Sequence, residues 1–223
     1  MYCTDKRHRS MSTEELNNAT KDLSLDEKKD VTALENPAEF NVKHPLNSTW
    51  TLWYTKPAVD NTESWADLLK PVVTFNTVEE FWGIFHAIPK VNELPLKSDY
   101  HLFRGDIKPE WEDSQNSDGG KWFCQFKGKR EDMNELWTRT LLSVIGETIE
   151  KAETETNEVN GVVFNVRRGT CKIGLWTKSC DEERLRAIGE VFKKVLKLGD
   201  EDKIEFIRHK DSDNRNAKPM IIM

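Results

Sequence analysis

The chain has 223 residues, 37% of them apolar, with 33 basic against 39 acidic side chains and a net charge of −6. That length and apolar share suffice for one core of ordinary size, and no run nears the roughly 18 apolar residues of a membrane-spanning helix. The acidic balance argues against a protein that grips long stretches of nucleic acid by neutralising many phosphates, and leaves open a small anion held at one local positive spot.

In chain order, residues 1–40 are polar and charged with no sustained period, so a flexible tail is expected there and one domain over 41–223. Lys6, Arg7, His8 and Arg9 lead into polar sequence rather than the apolar stretch of a secretory signal, and the expected location is the cytosol or nucleus. Order is expected from His44-Pro45-Leu46, because STWTLWYT has the aromatic, β-branched makeup of a strand. A polar connection carrying Trp65 follows. TVEEFWGIFHAI reads as a helix with Thr77 as N-cap, Glu79 and Glu80 at the positive end of its dipole, and Pro89 beyond its close.

YHLFR and KWFCQFKGK read as strands on either side of the loop EWEDSQNSDGG; in the second, Trp122, Cys124 and Phe126 share one side while Phe123 and Gln125 take the other. DMNELWTRTLLSVIGE reads as a helix whose stripe is Leu136, Trp137, Leu141, Val144 and Ile145. An acidic segment leads to the hairpin GVVFNVRRGTCKIGLWTK, the helix DEERLRAIGEVFKKVLKL and the strand KIEFIRH. Hairpins and short links dominate, so the expected class is α+β, an antiparallel sheet with helices on one face. Cys3, Cys124, Cys171 and Cys180 form no CxxC pair, and neither a metal nor a cofactor is expected.

Three constellations carry chemistry. In the hairpin, Arg167 and Lys172 bracket the turn and are expected nearly opposite one another, with Asn165 and Trp176 on their side; like charges so placed suit an anion between them, or a hairpin tip splayed into water. Trp65 and Trp111 each sit among acidic and small polar residues without an apolar period around them. They are lids over the core edge or, facing each other about 7 Å apart, a slot for a flat aromatic with stacking of about 1 to 3 kcal/mol per face. Glu112 beside Trp111 either orders its own loop or accepts two in-plane N–H bonds, a pattern that fits the guanine edge and not adenine. On the helices, Val78, Trp82 and Leu142 lie off the main stripes, as an exposed groove for an amphipathic helix or as thicker core packing.

The runs HPLNSTWTLWYTKP, TVEEFW, LKSDYHLF, PEWED with GGKW, LLSVIGE and NVRRGTCKIGLWT resemble the eukaryotic translation initiation factor 4E family of messenger RNA cap-binding proteins, and look closest to its yeast members. The resemblance runs from about residue 42 to the C-terminus. It implies a curved, mostly antiparallel eight-stranded sheet with three helices on the convex face and the ligand slot on the concave face. It implies that Trp65 and Trp111 sandwich 7-methylguanine, Glu112 reads its donors, and Trp176 touches the N7 methyl. Arg167 and Lys172, with Asn165 beside them, fall at the triphosphate; so does Lys121, where relatives often carry Arg, and Arg215 as a C-terminal cation. It further assigns His44, Pro45, Val78, Trp82, Leu142 and Gly146 to the surface that docks a Tyr-x-x-x-x-Leu-hydrophobic helix of scaffold factor 4G and of competing repressors. Arg139 stands there where animal members have an acidic residue. The implied protein is a binding factor without a catalytic step, a monomer outside its complex; a cap-binding repressor is the alternative.

Overall fold

The computed structural model describes residues 43–60, 62–128, 132–150, 157–212, 214 and 217–223. The expected tail over 1–40 and the cation Arg215 lie outside them. Eight strands form one sheet: β1 (Pro45–Thr55), β2 (Leu69–Thr77), β3 (Asp99–Arg104), β4 (Gly120–Lys127), β5 (Val159–Arg167), β6 (Thr170–Thr177), β7 (Glu205–Arg208) and β8 (Ile221–Ile222). Their order is β2-β1-β3-β5-β6-β4-β7-β8 and every pairing is antiparallel. The helices are α1 (Trp65–Leu68), α2 (Val78–Ala87), α3 (Met133–Ile145) and α4 (Glu182–Val195).

Strand alternation divides the sheet into two unlike faces. Trp50, Leu52, Leu102, Trp122, Phe164, Ile173, Leu175 and Phe206 point to one side, where Phe81 of α2, Trp137, Leu141 and Val144 of α3, and Leu185, Ile188 and Phe192 of α4 join them in a single core. The intervening residues, His101, Phe103, Val163, Asn165, Lys172, Trp176, Lys121 and Phe123, face the other way. That second face is where the polar chemistry collects.

Three features depart from the sequence reading. The polar connection around Trp65 is a single helical turn, with Ser64 accepting from the Asp67 backbone and Asp67 from that of Ser64, and it runs directly into β2. β2 holds Pro71 and exposed polar residues, which obscure its period; a proline is tolerated there because β2 is a sheet edge and one side of its backbone needs no partner. The hairpin turns at Arg168-Gly169, with Gly169 at φ 71°, so Lys172 is opposite Asn165 and Arg167 opposite Thr170. The two cations are therefore diagonal neighbours on one face rather than directly opposed.

Candidate functional site

Laterally paired residues form rows across β3, β5, β6 and β4. One is Asp99, Asn165, Lys172, Gln125; the next is His101, Val163, Gly174, Phe123; the third is Phe103, Gly161, Trp176, Lys121. Over these rows lies a cleft of about 660 Å³, the size of a small-molecule site. Trp65, Glu110, Trp111 and Glu112 line it together with Asn165, Arg167, Lys172, Trp176 and Lys121. Thus eight of the nine sequence-derived ligand residues, Arg215 being the exception, share one cavity.

Trp65 and Trp111 are 44% and 48% exposed, so neither ring is a lid sealed over the core. The Trp111 loop is braced from below. Buried Asn116 donates its amide to the carbonyls of Lys108 and Glu110, both at 2.8 Å, while Asn160 of β5 donates to Asn116 Oδ1 at 3.0 Å and to the Gln115 carbonyl at 2.6 Å. Asp113 completes the turn by accepting from the backbone N–H groups of Lys108 and Gln115. These bonds fix the backbone on which Trp111 and Glu112 stand, and leave both side chains facing solvent.

At one end of the cleft, Trp176 packs edge-on against Phe103, with ring centres 5.3 Å apart, and lies 4.1 Å from the His209 ring. Gly161 gives the room: a Cβ there would come within 2.6 Å of the Phe103 ring. Lys121, paired with Trp176 across β4 and β6, holds its ammonium 6.0 Å from the indole centre, so it is shared between the aromatic face and the cleft. Burial lowers His209 to about 3, with Lys121 pushing in the same direction. His101 is likewise driven to about 4 by burial, Asp99 opposing and Arg167 reinforcing the shift. Its Nε2 meets Thr55 Oγ1 at 2.8 Å. Both histidines are neutral at pH 7.

At the other end, Arg167 is gripped by buried Asp99 through two bonds, 2.6 and 3.2 Å, and also donates to the Val166 carbonyl at 2.8 Å. The pairing spends part of the guanidinium's charge and fixes its plane. Among the described residues Lys172 has no such carboxylate partner, and it lies 5.5 Å from the Phe123 ring centre. Asp99, His101, His209, Phe103 and the Asn116–Asn160 pair escaped sequence reasoning; their only sequence signal is that Asp99, His101 and Phe103 alternate along β3.

The helix-bearing side gathers the second set. The Val78 N–H donates to the His44 carbonyl at 2.9 Å, and Glu79 accepts from the His44 backbone at 2.9 Å while its other oxygen meets His44 Nδ1 at 2.6 Å. These bonds hold Glu79 down at about 2 and pin His44 and Pro45 beside the start of α2. Val78 and Leu142 remain 36% and 40% exposed, and Trp82 is partly buried against Phe81, Phe85 and His86. Gly146 caps α3, its N–H returning to the Leu142 carbonyl at 3.0 Å. Arg139 donates its Nε to the Val195 carbonyl at 2.9 Å, which commits part of its donor capacity to the end of α4.

Residues 45–221 match the family model of eukaryotic initiation factor 4E. The chain is 56% identical over 214 residues to eukaryotic translation initiation factor 4E of Candida albicans, covering 95% of this chain and all of that one. It belongs to the eukaryotic initiation factor 4E family. The 4E protein of Saccharomyces cerevisiae is 56% identical over 192 residues, 86% of this chain and 89% of its own length. Among solved structures, Ascaris suum eIF4E-3 in complex with m7G cap matches with a TM-score of 0.74 at 34% identity, over 82% of this chain and 98% of that one. Caenorhabditis elegans eIF4E-3, bound to the 4E-binding protein Mextli and a cap analogue, matches with a TM-score of 0.74 at 35% identity, over 82% and 100%. The curved eight-stranded 4E sheet with its helices is thus present in this chain, with α1 as a fourth, single-turn helix beyond the three expected.

Proposed function

We propose that this chain binds the 7-methylguanosine 5′ cap of messenger RNA and delivers it to scaffold factor 4G at the start of translation. The observation that carries this reading is that two exposed indoles, a carboxylate and a set of cations, drawn from separate segments, line a single cleft. Trp65 and Trp111 stack on the two faces of the base. Methylation at N7 makes guanine cationic, so its stack against electron-rich indoles gains an electrostatic component that plain guanine lacks. Glu112 accepts the N1 and N2 hydrogens in one plane, each such charge-assisted bond contributing about 1.5 to 3 kcal/mol. Trp176, backed by Phe103 and His209, bounds the N7 side. Asn165, Arg167, Lys172 and Lys121 meet the phosphates, with Arg215 added from the C-terminal segment.

The exposed apolar groups Val78 and Leu142, with Trp82 and the pinned His44-Pro45 edge, receive the Tyr-x-x-x-x-Leu-hydrophobic helix. This open face favours a recruiting factor over a repressor that holds the cap in isolation. No chemical step is involved: recognition is by stacking, hydrogen bonding and charge, in the cytosol or nucleus, by a monomer outside the complex. The test is retention on immobilised 7-methylguanosine triphosphate with co-capture of a Tyr-x-x-x-x-Leu-hydrophobic peptide. Failure of retention, or release of cap nucleotide from capped RNA in the presence of Mg²⁺, overturns the reading.

A further inference from the structure

Helix α3 ends in a conformation that its sequence does not favour. Gly146 closes the helix in the right-handed region, at φ −83°, and the left-handed position that usually falls to glycine is taken by the next residue, Glu147, at φ 54°. A side chain there is strained against its own backbone, whereas glycine would occupy the same conformation freely. Something must hold Glu147 in place.

Its carboxylate does so. One oxygen accepts from Ser48 Oγ at 2.6 Å and from Arg104 Nη1 at 2.5 Å, and the other accepts from the Asn47 amide at 3.4 Å. Arg104 also donates to Ser48 and, at 3.2 Å, to the Val159 carbonyl, with its guanidinium carbon 4.9 Å from the Trp50 ring centre. Asn47 and Ser48 belong to a part of β1 where the ladder is interrupted: the register with β2 shifts between Pro45 and Trp50, and pairing with β3 reaches only to Trp50 opposite Arg104. This segment is therefore fastened at His44 by the start of α2, and at Asn47 and Ser48 by Glu147. Pro45 stands between the two fastenings, and Gly146 adjoins the second.

We propose that Glu147 is a positioning residue for the partner helix, holding the Pro45 strip and the Gly146 turn as one preformed edge. The proposal deepens the reading that this face docks a Tyr-x-x-x-x-Leu-hydrophobic helix, and rests on it. Asn47 and Glu147 are 100 residues apart in sequence, so the edge exists only while such a tie spans them. Left loose, it would have to be ordered as the partner arrives, at roughly tenfold in affinity for each backbone residue fixed. The Glu147 side chain is only 21% exposed and both its oxygens are engaged, so it acts through its neighbours rather than on the helix itself.

The test titrates a Tyr-x-x-x-x-Leu-hydrophobic peptide, and separately 7-methylguanosine triphosphate, into wild-type protein, Glu147→Gly, Glu147→Gln and Ser48→Ala. Each is read well below its melting temperature, so that only folded protein is measured. Glu147→Gly relieves the strain but removes the fastening, and should lose about tenfold or more for the peptide. Glu147→Gln keeps an acceptor oxygen for Ser48 and Arg104 and should stay within about threefold of wild type, with Ser48→Ala in between. All three should hold the triphosphate within about twofold, because neither Glu147 nor Ser48 lines the cleft. A merely structural role would lower the melting temperature and leave the peptide affinity of folded protein alone, and that result in Glu147→Gly and Ser48→Ala overturns the proposal. So does an equal loss in Glu147→Gln, which would make the charge a direct contact, or a parallel loss for the triphosphate, which would mean general damage. Wild-type protein that holds the triphosphate but no peptide would instead sink the reading of this face, and the positioning role with it.

Discussion

Lowering the pH from 7.5 to 5 should remove about 4 kcal/mol of stability, through two imidazoles buried behind the cleft. His101 and His209 titrate near 4 and near 3 in the folded chain, chiefly because burial disfavours their charged forms. The unfolded chain titrates them near 6.5. Their folded values are depressed, so the unfolded state takes up protons first; stability is complete above about pH 6.5 and falls as pH drops toward the folded values. Each contributes about 1.4 kcal/mol per pH unit once well below 6.5, so two give a slope of about 2.7, and integration to pH 5 gives about 2 kcal/mol each. Carboxylates lowered by their hydrogen bonds, such as Glu79 at about 2 and Glu63, act in the same direction but only below about pH 4.5, so the window from 6.5 to 5 belongs to the histidines. Urea unfolding measured at half-unit pH intervals reads the slope directly. His209→Gln and His101→Asn should each halve it, whatever they do to stability at pH 7.5. A flat profile between 7.5 and 5, or a slope that survives both substitutions, refutes the burial argument.

Three further outcomes follow from the site. Glu112→Ala should weaken binding of 7-methylguanosine triphosphate by at least about tenfold while the melting temperature stays unchanged, because the carboxylate is exposed and no hydrogen bond or ion pair ties it to the fold among the described residues; equilibrium titration checks this. Asn160→Ala removes two amide bonds beneath the Trp111 loop and leaves buried Asn116 short of a donor, at about 1 to 3 kcal/mol. It should reduce cap affinity and speed amide exchange over residues 110–119, with neither effect if the loop is held some other way. Trp82→Ala should abolish capture of a Tyr-x-x-x-x-Leu-hydrophobic peptide and leave cap affinity intact, as measured by calorimetry; loss of both would mean damaged packing.

What the residues disclosed in advance is whatever depends on local pattern. Trp122, Cys124 and Phe126 alternate against Phe123 and Gln125 as they must in a strand with one face in the core, and Thr77 caps α2 as its side chain dictates. β2 was hidden because an edge strand tolerates Pro71 and exposed polar residues, which erase the period that marks a buried strand. The single turn of α1 left only a local trace, Ser64 three residues before Asp67. Long-range convergence was invisible: nothing near His101 announces Thr55, and nothing near Asn116 announces Asn160, because these pairs meet only through sheet register. The hairpin register shows the limit most clearly. A loop closed at Arg168-Gly169 rather than over four residues turns opposed cations into diagonal ones, and frees Arg167 to be held by Asp99 from the neighbouring strand.

The most direct measurement is titration of intrinsic tryptophan fluorescence with 7-methylguanosine triphosphate and with guanosine triphosphate under identical salt. Stacking of a cationic base between Trp65 and Trp111 predicts strong quenching and at least about tenfold tighter binding for the methylated nucleotide, from a cation–π gain of about 0.5 to 2 kcal/mol together with the contact at Trp176. Equal affinities for the two nucleotides would contradict it.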